Sequence, residues 1–297
     1  MTAQTRHERS PGEPRWIAFL YLLPALAVYL AFVVAPMVHG VSISFFNWDG
    51  VTRGTWVGLS NYTSAFADAG IRAEFLRSFV LVAFYALLPI AVGLILAAAL
   101  SRSRLRFMSF FRTVLFLPQV IATVVVAVTW RWLYAPDGPI NQLLRAIGLG
   151  GLSRSWLGDY TWALPATGLV GTWVTFGLCM VLFIAGVQQI PPPLFDAVRV
   201  DGGGPIREFF AVTLPGLRNP LAVALSLTVI GGLRTFDLIY LTTKGGPGDQ
   251  TMVPSLDIYQ RAFSTGQVGS AAALGVMLTI LIFAVTFMIT RLVERES

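Results

Sequence analysis

Charge is scarce in this chain. Of its 297 residues only 12% are charged, about half the roughly 25% of ordinary soluble domains. Hydrophobic residues make up 55%, and the mean hydropathy is +0.70. A compact soluble fold of this size could not hide so much apolar surface behind so little charge. The composition therefore excludes a cytosolic enzyme and a disordered chain, and it points to a membrane protein. Lysine is nearly absent. The single Lys244 follows Thr243, whereas a phosphate-cradling Walker loop needs Gly-Lys-Ser/Thr, so no ATP site of that kind is present. The remaining basic residues are arginines spread through short loops. The net charge of +6 thus lacks the clustered basic face that nucleic acid requires. Cys179 is the only cysteine, which excludes an internal disulfide and a Cys/His metal cluster. The histidines, His7 and His39, flank the first apolar run. That leaves zinc chemistry and a buried Ser–His relay without support. No catalytic residue, metal ligand or cofactor is expected.

What the chain does have is six apolar stretches, each long enough to cross about 30 Å of hydrocarbon as roughly 20 helical residues. They lie near 16–38, 78–100, 113–134, 162–187, 217–242 and 268–291. The expected organisation is an N-terminal arm (1–15), one transmembrane domain (16–291) and a short tail (292–297). The first run is too long for a cleaved signal, and no small-x-small site follows it. The loop after the second run holds Arg102, Arg104, Arg106 and Arg112 without an acid. Short arginine-rich loops stay cytoplasmic. An even number of spans then puts both termini on that side, in agreement with Arg6, Arg9 and Arg15 in the arm and Arg291 and Arg295 near the tail. The outer segments, about 39–77, 135–161 and 243–267, contain Trp48, Trp56, Tyr62, Trp156, Tyr160 and Tyr259. Aromatics at this level suit the lipid interface or a docking surface for an outside partner.

The most informative stretch is the loop 189–215, on the cytoplasmic side of the fourth and fifth runs. Pro191–Pro193 stop the preceding helix, because proline lacks the amide proton and clashes with the previous turn. A short helix can start at Pro193. Leu194, Ala197 and Val198 would share one of its faces. Gly202–Gly204 end it, since glycine tolerates the left-handed turn, and Pro205 opens another short segment toward Leu214-Pro215. Two readings fit: a stiff element able to transmit a push, or an amphipathic segment resting on lipid headgroups.

These residues also carry a resemblance. Asp196-Ala-Val-x-x-Asp-Gly-Gly, then Phe209/Phe210 and Leu214-Pro215, resembles the EAA loop of binding-protein-dependent ABC importer permeases. That loop reads Glu-Ala-Ala-x-x-x-Gly followed by apolar residues and Leu-Pro. Asp196 here stands for Glu and Val198 for the second Ala. Phe110-Phe-Arg-Thr-Val-Leu-Phe-Leu-Pro, Ala135-Pro-Asp-Gly-Pro-Ile-Asn-Gln-Leu-Leu and Phe236-Asp-Leu-Ile-Tyr-Leu-Thr-Thr-Lys-Gly-Gly-Pro are similar to the carbohydrate branch of that family, the MalF-like subunit of maltose-type importers. The resemblance implies an all-α, six-helix type I importer fold with a cytoplasmic coupling helix, in a bacterial plasma membrane. It also implies two separate ATPase subunits, a second permease as heterodimer partner, an extracytoplasmic solute-binding protein and a carbohydrate substrate. Coupling to the ATPase would fall to Leu194, Asp196, Ala197, Val198, Asp201, Gly202 and Gly203. The competing expectation is a secondary transporter or channel that works without ATP, and it leaves the 189–215 loop without a role.

Alignment to the maltose-importer relative places the substrate pathway at Gln119 and Thr123 on the third helix, and at Val174, Thr175 and Leu178 on the fourth. On the fifth it falls at Thr228, Gly231, Gly232 and Thr235. Gly231 and Gly232 stand where that relative has larger side chains. Two other roles stay open for such residues: intramembrane threonines bond their own helix carbonyls, and glycines let helices approach. Arg234 and Asp237, three residues apart, would be either a pore-lining pair or an ion pair near the outer rim.

Overall fold

The computed structural model describes residues 15–102 and 108–294. Arg6, Arg9, Arg104, Arg106, Arg295 and His7 lie outside the described residues, as do the side chains of Arg15 and Arg102.

The fold is a bundle of apolar helices. Among the described residues, four are long enough to span a membrane unbroken: Tyr21–Ile43, Ala69–Leu100, Ala163–Val187 and Val268–Arg291. Two further pairs of helices are each bent at a short break, so the spans number six if each pair counts as one. The first span departs from the bundle. Its helix runs Arg15–Tyr29, widens through a π-turn at Leu30–Val34 and continues as Ala35–Ile43. None of Tyr21–Ile43 is buried inside the chain, although that outer third packs on the last helix, Val268–Glu294. An apolar helix exposed all round is stable only in lipid or against another protein. It reaches five residues beyond the expected end at 38, because His39 sits within helix rather than ending it. The chain then turns through a small antiparallel pair, Phe46–Asn47 with Thr55–Trp56.

The second span begins at Ala69, not near 78. Asp68 caps it, its carboxylate accepting from the Gly70 N–H at 2.7 Å and the Ile71 N–H at 3.3 Å. The apolar run alone misses this polar first stretch, since a cap satisfies the orphan amides wherever it falls. A π-turn at Ala83–Leu87 interrupts the same span.

The third run is not one helix. Ser109–Val120 and Thr123–Leu133 meet at 94°, with Ala122 in extended backbone between them. Pro118, inside the first of the two, removes a ladder hydrogen bond just before the break. The fifth run also breaks. Arg218–Leu233 stops at Arg234, and Asp237–Thr242 forms a separate short helix. Gly231 and Gly232 are weak helix formers, and the Thr235 carbonyl freed by the break accepts a hydrogen bond from Ser255. At its cytoplasmic end the fifth helix meets Pro205–Gly216 at 71°.

The fourth helix, Ala163–Val187, is the axis of the bundle. Cys179, Met180, Phe183 and Ile184 pack with Ile90, Ala97, Leu217 and Ala224 of the neighbouring helices. Close approach is possible because glycines stand at the crossings. A Cβ on Gly93 would fall 2.7 Å from Cys179, and one on Gly177 would fall 2.6 Å from the Leu115 carbonyl. Small residues at such crossings bring backbones into van der Waals contact where no hydrophobic drive separates helix from lipid.

Outside, the Ala135-Pro-Asp-Gly-Pro-Ile-Asn motif has a structural explanation. Asn141 is fully buried. It donates to the carbonyls of Ala135, Pro136 and Arg154 and accepts from the Trp156 indole at 2.9 Å. One side chain thereby pins the whole 135–156 loop. The Arg154 guanidinium lies 5.4 Å from the Trp156 ring and 4.9 Å from that of Trp162.

Candidate coupling element and pathway cavity

Two sites emerge from this frame. The first is the short helix Pro192–Val200 between the fourth and fifth spans, one residue longer at its start than the sequence suggests. Pro191 supplies the extended N-cap. At the other end the Gly203 N–H bonds the Val198 carbonyl at 2.8 Å, and the Gly202 N–H bonds that of Arg199 at 3.0 Å. Gly202 has φ +72°. These paired bonds are a Schellman motif, and its positive φ is the reason for glycine there. Arg199 then ties the helix down on two sides. It meets Asp196 at 3.4 Å and Glu208 at 3.4 Å. Glu208 is only 5% exposed, so the brace reaches from the helix into the body of the next segment. That segment runs Pro205–Glu208, a π-turn Phe209–Thr213 and Leu214–Gly216, directly into the fifth helix. A cavity of about 390 Å³ lies beneath, lined by Ile190, Leu194, Val212, Pro215 and Asn219 among others.

All seven residues expected in this element sit on the helix or in its cap. Leu194 lines the cavity beneath, while Val200 is 87% exposed and stands with Ala197, Asp196 and Arg199 on the open side of the helix. A short, capped, braced helix with an exposed outer side can seat in a partner's groove and carry force to the span it joins.

The second site is a cavity of about 160 Å³ among the second, third, fourth and fifth spans. Its wall includes Thr123, Val174, Thr235 and Asp237 from the expected set, together with Tyr85. Both helix breaks open onto it: Ile121 and Thr123 flank one, Thr235 and Asp237 the other. Breaks in spanning helices free backbone groups, and such groups are tolerated at membrane depth only where protein or a water-filled cavity meets them.

Tyr85 was not legible beforehand. It lies in the π-turn of the second span, a feature often found at functional positions. Its ring fills the space left by Gly171, where a Cβ would overlap it, and its own Cβ would stand 3.2 Å from one on Gly232. It shares the cavity wall with Thr235. Only the glycines on two distant helices, read together, would have pointed to it.

The other expected pathway residues lie off the cavity wall. Thr175 donates to the Gly171 carbonyl at 2.7 Å, and Thr228 to that of Ala224 at 2.8 Å, so both bond their own helix. Thr235 does the same toward Gly231 at 2.9 Å, yet a hydroxyl that donates keeps its lone pairs as acceptors. Gly232 packs against Val82 and Tyr85, while Gly231 has nothing within 4 Å of where a Cβ would stand. The two glycines thus divide the alternatives between them, one packing and one facing open space. Leu178 is half-buried, and Gln119 carries a buried Oε1 with no hydrogen-bond partner. Arg234 and Asp237 are both exposed, and no ion pair joins them among the described residues. Phe236, at φ −130° and ψ −61°, breaks the helical register that would have stacked them.

This architecture, a bundle of membrane-length helices with an exposed short helix set between the fourth and fifth spans, is that of a polytopic membrane protein. The family of binding-protein-dependent transport system inner membrane components matches residues 89–297, and the chain belongs to it. It is similar to the probable ABC transporter permease protein YurN of Bacillus subtilis, at 37% identity over 92% of this chain and 94% of that one. It is also similar to the diacetylchitobiose uptake system permease protein NgcF of Streptomyces coelicolor, at 31% identity over 93% of this chain and 82% of that one. In fold it matches a chain from the crystal structure of a bacterial ABC transporter involved in the import of the acidic polysaccharide alginate. The TM-score is 0.82 at 22% identity, over 94% of this chain and 96% of that one. The protein is thus a multi-pass inner-membrane component of an ABC importer, and the type I importer fold expected from the sequence is the one found.

Proposed function

We propose that this chain forms one half of a carbohydrate pathway and is driven by separate ATPase subunits through the Pro192–Gly203 element. The observation that carries the reading is the construction of that element: exposed, locked by the Schellman cap, and braced to Glu208 through Arg199. ATP shifts the permease between inward- and outward-open states only to the extent that the ATPases hold this helix differently in their open and closed forms. The second permease completes the pathway as heterodimer partner, and an extracytoplasmic binding protein delivers substrate to the outer loops. Both termini face the cytoplasm. Carbohydrate as cargo follows from relatives such as the diacetylchitobiose permease and suits a cavity walled by the hydroxyls of Tyr85, Thr123 and Thr235. Gln119, Val174, Thr175, Leu178, Thr228, Gly231, Gly232, Arg234 and Asp237 are the remaining pathway candidates.

The test is reconstitution of the full assembly in vesicles with a panel of mono- and oligosaccharides. Uptake that needs ATP, both permeases and the binding protein is the expected result. Full-rate saccharide movement by this chain alone, with no ATPase present, would establish the gradient-driven or channel alternative instead.

A further inference from the structure

We propose that the cavity selects its cargo by charge: Asp237 makes this half of the pathway favour neutral or cationic saccharides and disfavour anionic ones such as uronates. The inference rests on the reading of the cavity as a pathway and adds a substrate class to it. Among the nine residues of the wall, Asp237 is the only carboxylate and no basic side chain is present. Asp237 has no ion-pair partner among the described residues. The nearest candidate in sequence, Arg234, is turned out of register by the break at Phe236 and does not line the cavity. Asp237 and Tyr85 line the same cavity, one from the fifth span and one from the second. The rest of the wall, Ile121, Val126, Val174 and Leu238, is aliphatic and screens poorly. Asp237 is exposed at this wall, and an unpaired carboxylate at a confined apolar cavity biases which charge enters. The hydroxyls of Tyr85, Thr123 and Thr235 bind sugar hydroxyls whatever the cargo's charge. The discrimination therefore falls to Asp237.

The experiment uses the assembled complex with Cys179→Ala in this chain and, to keep the reporter unique, cysteine-free partners. Thr123→Cys then places a thiol on the cavity wall. The thiol is treated with two methanethiosulfonates of similar size, one bearing a trimethylammonium group and one a sulfonate. The ratio of cation to anion reaction rates reads the local potential. Asp237→Asn is expected to lower that ratio about tenfold, the effect of one nearby unit charge at intermediate dielectric, and Asp237→Arg to invert it. Val174→Cys serves as a second reporter should Thr123→Cys fail to assemble. A ratio unchanged within twofold in Asp237→Asn overturns the charge selection and leaves the pathway reading standing. Thiols at both positions that react with neither reagent overturn the cavity as a pathway, and the selection with it.

Discussion

At the scale of single residues, the contact that shapes the cavity is Tyr85 against Gly171. The aromatic ring occupies the volume that any side chain at 171 would need. Gly171→Ala is therefore an overpacking change, of the kind that costs about 1–3 kcal/mol in a filled interior. The cost arises from one identified ring, so Tyr85→Ala in the same chain should return part of it. Gly231 lies sixty positions further on in a similarly apolar run but has open space where a Cβ would stand. Gly231→Ala should leave the thermal midpoint of the detergent-purified complex unchanged, while Gly171→Ala lowers it, and lowers it less when made in a Tyr85→Ala background. Equal midpoints for the two single variants would mean that the ring is not held where it is described. The contrast also separates two uses of glycine in a membrane helix that look alike in sequence, one admitting a neighbour and one keeping a space empty.

At the scale of elements, the coupling helix depends on its C-terminal turn. Proline holds φ near −65°, and Gly202 sits at +72°. Gly202→Pro thus unmakes the Schellman cap and lets the helix part from Pro205. Proline at an incompatible position costs about 3 kcal/mol or more, enough to shift a coupled equilibrium more than tenfold. Uptake by the assembly should fall at least that far while membrane abundance stays at the wild-type level, with the ATPase still hydrolysing ATP. Arg199→Ala, which cuts the brace to Glu208, should give a milder form of the same uncoupling. Wild-type uptake in Gly202→Pro at equal abundance would remove the lever role. This element was readable from sequence because proline and glycine act locally: each fixes its own backbone, and no distant contact is needed to place it. The breaks in the third and fifth spans were not readable in that way. Ile121-Ala-Thr-Val-Val-Val and Leu233-Arg-Thr-Phe-Asp fall inside runs apolar enough to read as continuous helix. Pro118 and Gly231-Gly232 weaken the helices locally, but Pro24 and Gly177 sit inside unbroken helices; what fixes these two breaks is tertiary: the opening onto the cavity for one, and the Ser255 hydrogen bond to the Thr235 carbonyl for the other. The early start of the second span, set by the Asp68 cap, was hidden for a different reason. Its first turns carry Arg72, Glu74 and Arg77, and hydropathy discounts them although the helix runs through.

At the scale of the whole molecule, the decisive quantity is which side of the membrane the coupling helix faces, since a lever turned away from the ATPases couples nothing. Four arginines between 101 and 112, with no acid, place that loop inside. One further crossing and return brings Pro192–Val200 to the same face. The hairpin after the first span then lies outside. Two exposed valines mark the two faces. Val51 is 91% exposed in the outer hairpin, and Val200 is 87% exposed at the end of the coupling helix. With Cys179→Ala, each can be made the sole cysteine of the chain. A membrane-impermeant maleimide added to intact cells should modify Val51→Cys and spare Val200→Cys until the membrane is opened. In inside-out vesicles the pattern should reverse. There Val200→Cys should also become protected when the ATPase subunits are bound, because the exposed side that carries it would then be covered. Labelling of Val200→Cys from outside intact cells would invert the orientation and detach the coupling element from ATP. Labelling from inside that ATPase binding does not slow would keep the orientation and place the ATPase contact elsewhere on the cytoplasmic face.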